Sequence, residues 1–119
     1  MTLVQNAPAP ATATWVPVCA YTDLLPERGA AALVAGRQIA VFRAFDGVLY
    51  AVGNRDPYSG AYVMSRGIMG SRGEEPVVVT PMHKQAFSLV TGACLDDPET
   101  VIPVYATRIV SGVVEVGVE

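Results

Sequence analysis

Thr80-Pro81-Met82-His83-Lys84-Gln85-Ala86-Phe87 runs on through Ser88-Leu89-Val90 to Thr91-Gly92 and holds the single histidine of the chain. A Pro beside a polar residue, then a His, then a short apolar run closing on Thr-Gly, reads as a loop that turns sharply into a strand and a hairpin. Asn54-Arg55-Asp56-Pro57-Tyr58-Ser59-Gly60 has the same grammar. Each stretch follows a β-branched or apolar run, Val48 to Val52 before the first and Pro76 to Thr80 before the second. The reading is therefore two loops at the ends of strands, brought together at one tip of a β domain.

Outward from these loops the pattern stays β. Trp15 to Cys19 is a short strand that Pro17 pushes toward a sheet edge. Ala30 to Ala35, the turn signal Gly36-Arg37 and Gln38 to Arg43 make a hairpin, and Asp46-Gly47 between Phe45 and Val48 makes a second. Ala86 to Val90 leaves the second loop as a strand, and Asp96-Asp97-Pro98-Glu99 reads as an acidic turn. Val104 to Val110, Ser111-Gly112 and Val113 to Val116 form a closing hairpin whose alternation puts Tyr105, Thr107 and Ile109 on one face. Ala61 to Gly73 reads as irregular, its Val63-Met64 and Ile68-Met69 pairs being too short for elements. No window carries sustained helical spacing. The expected fold is all-β, a small antiparallel sandwich, with residues 1–14 a disordered N-terminal tail rich in Ala, Pro and Thr and residues 15–119 one domain.

Composition narrows the function. A net charge of −3 without a run of Lys or Arg gives no footprint for nucleic acid or an anionic membrane. No segment approaches the ~20 apolar residues that span a bilayer. The start lacks the basic and apolar regions of a secretory signal, and Cys19 and Cys94 show no zinc spacing. These features fit a cytoplasmic protein with two structural thiols. Ser59 and Ser65 have one His between them and no nucleophile elbow, and no glycine-rich nucleotide loop is present. Three roles remain open for His83: metal ligand, proton donor, or a hydrogen-bonding residue that ties the loops, with Asp56 across from it. Asp56 before Pro57 is also an ordinary turn starter, its carboxylate accepting an N–H two residues on.

The paired loops resemble those of Rieske-type iron–sulfur domains, which read C-x-H in the first loop and C-x-x-H in the second. In such domains two thiolates hold one iron and two imidazoles the other. On that pattern Asp56 and Tyr58 stand at the first Cys and His, and Thr80 and His83 at the second pair. Three of the four ligands are replaced by hard oxygen donors, so the resemblance implies the scaffold without a [2Fe–2S] cluster and without a metal. Asn54 to Ala61, Ser65 to Gly70, His83 to Leu89 and Thr91 to Leu95 together resemble the small subunit of NAD(P)H-dependent assimilatory nitrite reductase. That resemblance implies a non-catalytic, cofactor-free subunit beside a large subunit carrying FAD, sirohaem and an iron–sulfur cluster. The alternatives are an electron-transfer ferredoxin component and a Rieske-like module serving another oxidoreductase. Tyr58, Tyr62, Arg66, Ile68, Met69 and Lys84 are the candidate face toward the large subunit, being aromatic, apolar or cationic residues in loop segments. The competing reading is that Ile68 and Met69 cap the core.

Overall fold

A computed structural model describes residues 2–4, 13–82 and 84–118, with residues 2–4 as backbone. Its strands are β1 (Thr2–Val4), β2 (Thr14–Ala20), β3 (Arg28–Val34), β4 (Arg37–Arg43), β5 (Leu49–Gly53), β6 (Ile68–Arg72), β7 (Glu75–Val79), β8 (Ala86–Ser88), β9 (Ala93–Cys94), β10 (Asp97–Val101), β11 (Val104–Val110) and β12 (Val113–Val118). Two short 3₁₀ turns, Tyr21–Asp23 and Met64–Arg66, complete the described elements. One sheet runs β2-β12-β11-β5-β4-β3, with β1 against β11, and the other runs β10-β9-β8-β7-β6. All the strand pairs are antiparallel.

Strand periodicity divides the apolar residues between two cores. Along β4, Ile39 and Val41 turn to one core while Ala40 and Phe42 turn to the other, all four fully buried. On β5, Leu49 and Ala51 join the first set, and Tyr50 and Val52 the second. The first core is enclosed by the larger sheet and adds Val34, Val114, Val116 and Val118. The second lies between β4–β5 and the smaller sheet, where Val78, Phe87, Leu89 and Cys94 meet Met64. The β4–β5 hairpin is the wall shared by both.

The expected hairpins form. Ala35 and Gly36 both take positive φ, 50° and 80°, so the turn falls one residue before the expected Gly36-Arg37. Ser111 and Gly112 repeat this geometry. At Asp46-Gly47 the Asp46 carboxylate accepts the Val48 N–H at 3.1 Å. Pro17 sits on the edge strand β2, beside a register shift between Val114 and Glu115. Tyr105 and Ile109 pack on the first core and Thr107 is buried, as their alternation requires.

Two expectations are corrected. The stretch read as irregular holds the Met64–Arg66 turn and β6, and Asp97 opens a strand, β10, where an acidic turn was expected. Both strands are sheet edges, which tolerate charge, Gly and Pro because one side of the backbone makes no ladder bonds. Within the segment read as a tail, residues 1 and 5–12 lie outside the described residues, Thr2–Val4 runs along β11, and Thr14 opens β2. Among the described residues no helix is long and apolar enough to cross a membrane.

Candidate functional site

The first loop is built on Asn54, which leaves β5 almost fully buried. Its N–H donates to Gln38 O at 3.0 Å, its carbonyl accepts from Met64 N at 3.0 Å, and its Oδ1 accepts from Ser65 N at 2.8 Å. Its amide Nδ2 reaches Tyr62 O at 3.3 Å. One residue thus ties β4, the loop and the Met64–Arg66 turn. Sequence reading assigned Asn54 no role of its own. The signal was there in an Asn placed where a strand ends, a position suited to side-chain bonds to backbone.

Asp56 is fully buried and closes the loop on itself. Its Oδ1 accepts the Tyr58 N–H at 2.9 Å and its Oδ2 accepts the Ser59 hydroxyl at 3.0 Å. The backbone repeats the closure, with Asp56 N donating to Ala61 O at 2.8 Å and Gly60 N to Asp56 O at 2.7 Å. The turn-starter reading of Asp56 holds. The proposed bond from Asp56 to His83 involves a residue outside the described ones.

Tyr58 carries the first loop across to the smaller sheet. Its hydroxyl donates to Asp97 Oδ2 at 3.0 Å, and its ring centroid lies 6.1 Å from that of Phe87. Thr100 donates to the same Asp97 oxygen at 2.7 Å. The Thr100 hydroxyl pulls the Tyr58 phenol down, but hydrogen bonding to Cys94, partial desolvation and the bond to Asp97 outweigh it and push Tyr58 up to about 12. The bonds from Thr100 and Tyr58 hold the Asp97 carboxyl below its ordinary value.

In the second loop Thr80 N donates to Gln85 O at 2.9 Å and Lys84 N to Thr80 O at 3.1 Å, with Lys84 at φ 59°. Thr80 is buried, and its Oγ1 and the Gln85 Oε1 have no hydrogen-bond partner among the described residues. Beyond the loop, buried Ser88 donates to Glu75 Oε2 at 2.9 Å and accepts the Val90 and Thr91 N–H groups, each at 3.1 Å. The Thr-Gly turn is sterically fixed as well: a Cβ on Gly92, at φ +81°, would stand 2.1 Å from Ile102 O.

These residues do not fit a [2Fe–2S] cluster. Asp56 and Tyr58, which the resemblance sets at two ligand positions, have their oxygens engaged by the loop and by β10, and Thr80 offers a hydroxyl. Both cysteines are free thiols outside the two loops, Cys19 on β2 and Cys94 buried on β9 near Tyr58. Burial, then the nearby Asp23 carboxylate, pushes the Cys19 thiol up, away from the thiolate a metal requires. Among the described residues no group of three or more His, Cys, Asp or Glu side chains is placed to hold a metal ion.

The candidate face is divided by the fold. Tyr58 is partly exposed and already bonded, while Tyr62 is exposed over a groove shared with Arg55, Val101 and Pro103. Arg66 and Ile68 stand together on another groove with Arg28. Met69 is half-buried against the second core, and Lys84 is exposed on the second loop. Sequence reading missed Phe45, which is 87% exposed at the tip of the β4–β5 hairpin.

Two antiparallel sheets, with two cores on either side of the β4–β5 wall and two strand-end loops by the smaller sheet, define the class. The chain belongs to the Rieske-like [2Fe-2S] domain family, whose model matches residues 14–117. Its relatives include the nitrite reductase (NADH) small subunit of Escherichia coli strain K12, 35% identical over 102 residues that cover 85% of this chain and 94% of that one. A crystal structure described as a putative NADH-dependent nitrite reductase small subunit from Mycobacterium tuberculosis superposes with a TM-score of 0.87 at 49% identity, covering 90% of this chain and 96% of that one. The nitrite reductase [NAD(P)H] large subunit of Klebsiella oxytoca contains a stretch 36% identical to 95% of this chain, which is 12% of that protein's length.

Proposed function

We propose that this chain is the small subunit of an NAD(P)H-dependent nitrite reductase, acting by assembly with the large subunit and carrying no redox group of its own. FAD, sirohaem and the iron–sulfur cluster then belong to the large subunit, which reduces nitrite to ammonium. The observation that carries the reading is the state of the first loop. Asp56 and Tyr58 occupy ligand positions, yet their side chains are used to hold the loop closed and to fasten it to β10. Relatedness to small subunits, and to one segment of a large subunit, supplies the partner. The Ser65 to Gly70 segment is the part of the surface proposed to meet it, with the two loops beside it.

Reconstitution tests the reading. The purified chain, added to the large subunit of the same host, forms a stable complex and raises NAD(P)H-dependent nitrite reduction, while the chain alone shows no visible absorption and no bound iron. A chain that purifies coloured with stoichiometric iron supports the ferredoxin reading. Failure to co-purify with a flavin- and sirohaem-containing protein sinks the nitrite reductase assignment.

A further inference from the structure

The Met64–Arg66 turn packs closely on β3, and the glycine that ends it packs closely on β7. A Cβ on Gly29 would stand 2.5 Å from the Ser65 carbonyl oxygen, and one on Gly67 would stand 2.5 Å from Val78 Cγ2 and 2.7 Å from Val79 O. Met64, the first residue of the turn, is fully buried in the second core. The turn and the start of β6 therefore present their outer side chains rigidly, with Arg66 exposed and Ile68 75% exposed.

Two grooves meet on this flank. One, about 350 Å³, holds Arg28, Arg66 and Ile68, and among the described residues neither guanidinium has an ion-pair partner. The other, about 330 Å³, is lined by Phe45 with Asp46 and Glu74 and contains no cation. Glu27 lines both, so the grooves form one continuous face. The two most exposed large apolar side chains among the described residues, Phe45 at 87% and Ile68 at 75%, lie one in each groove. Exposed apolar anchors beside charge of both signs, on a backbone already ordered, are the makings of a specific protein interface.

We propose that this flank, formed by β3, the β4–β5 hairpin tip and the start of β6, is the surface that binds the large subunit. The inference rests on the proposed function and specifies the partner's chemistry. The occupant is a segment of the large subunit that presents carboxylates to Arg28 and Arg66, cations to Asp46 and Glu74, and apolar cover to Phe45 and Ile68. The opposite-signed ends fix its orientation, because reversing the partner sets like charges against each other. The loop tip contributes less, since Tyr58 is already spent on Asp97 and Phe87.

The test is titration of the large subunit with full-length variants. Phe45→Ser with Ile68→Ser, and separately Arg28→Glu with Arg66→Glu, each weaken binding by at least ~10-fold at unchanged melting temperature, the second pair with an altered salt dependence. Leu33→Ser, at a side chain 73% exposed but outside both grooves, leaves binding within ~2-fold because a peripheral truncation costs little. Wild-type binding by both flank variants, with loss in Tyr62→Ser on the groove beside the first loop, overturns the proposal and leaves the proposed function standing. A wild-type chain that dimerises through this flank, with large-subunit binding indifferent to the variants, also overturns it. Absence of any complex with the wild-type chain overturns the functional reading and this inference with it.

Discussion

Gly29→Ala probes the packing that holds the proposed docking surface in place. Its new methyl group would lie 2.5 Å from Ser65 O and 2.6 Å from Phe42 Cε1. Neither neighbour can yield cheaply. Ser65 O is backbone in a turn pinned by two bonds to Asn54, and the Phe42 ring is fully buried. Overpacking of this kind costs ~1–3 kcal/mol. Restriction of the unfolded chain by the new side chain returns ~0.4–1 kcal/mol, leaving a net loss of about 1–2 kcal/mol. At ~2.1 cal/mol/K per residue, the unfolding entropy of a chain this size is near ~250 cal/mol/K, so each kcal/mol lowers the melting temperature by about 4 °C. Circular dichroism melts of the variant should therefore fall about 4–8 °C below the parent. Gly70→Ala on β6 is the control, since a Cβ there meets nothing within 4 Å and the main-chain φ is not in the left-handed region. It should melt at the parent temperature or slightly higher. If both variants melt together, the close approach of β3 to the Met64–Arg66 turn is not what fixes that turn.

Met64→Ala removes a fully buried side chain from the second core and should cost ~2–5 kcal/mol by denaturant unfolding. Asp56→Ala leaves the Tyr58 N–H and Ser59 hydroxyl without their acceptor and should cost ~1–3 kcal/mol, with Asp56→Asn milder because its Oδ1 can still take the Tyr58 N–H. Against the lowering by Thr100, the contact with Cys94, desolvation and the bond to Asp97 together raise Tyr58 from 10.0 to about 12, so the neutral phenol contributes stability that is full below pH 10 and is lost as the pH rises through the folded value near 12. Ultraviolet titration of Asp97→Asn should accordingly show one tyrosine ionising at lower pH than in the parent, and superimposable curves would mean that the carboxylate does not hold the phenol.

Hairpins were readable from sequence because their signals are local. Asp46-Gly47 and Ser111-Gly112 each name a turn within a few residues, and β-branched runs on both sides supply the strands. The edge strands β6 and β10 were not readable for the converse reason. Ile68-Met69-Gly70-Ser71-Arg72 has no alternation, and Asp97-Pro98-Glu99 is a turn by composition. Each becomes a strand only because β7 or β9 lies alongside to pair with it. The site divides in the same way. Asp56 accepting an N–H two residues on is local chemistry and was visible, whereas Tyr58 meeting Asp97 spans 39 residues of chain. Phe45 was visible as a hairpin flank, but its exposure depends on which strands fail to cover it.

The bonds made by Asp56 and Tyr58 also explain how the first loop keeps its shape. In a cluster-bearing domain the metal cross-links two loops, one pair of ligands from each. Here Asp56 closes the first loop by itself, and Tyr58 fastens it to β10 through Asp97 and to Phe87 by ring contact. Side-chain hydrogen bonds such as those Asp56 accepts contribute ~0.5–1.5 kcal/mol each. A few of them suffice to order a loop this short without metal. On the proposed function the chain acts through a surface, and exposed apolar side chains suited to one lie on the flank at Phe45 and Ile68.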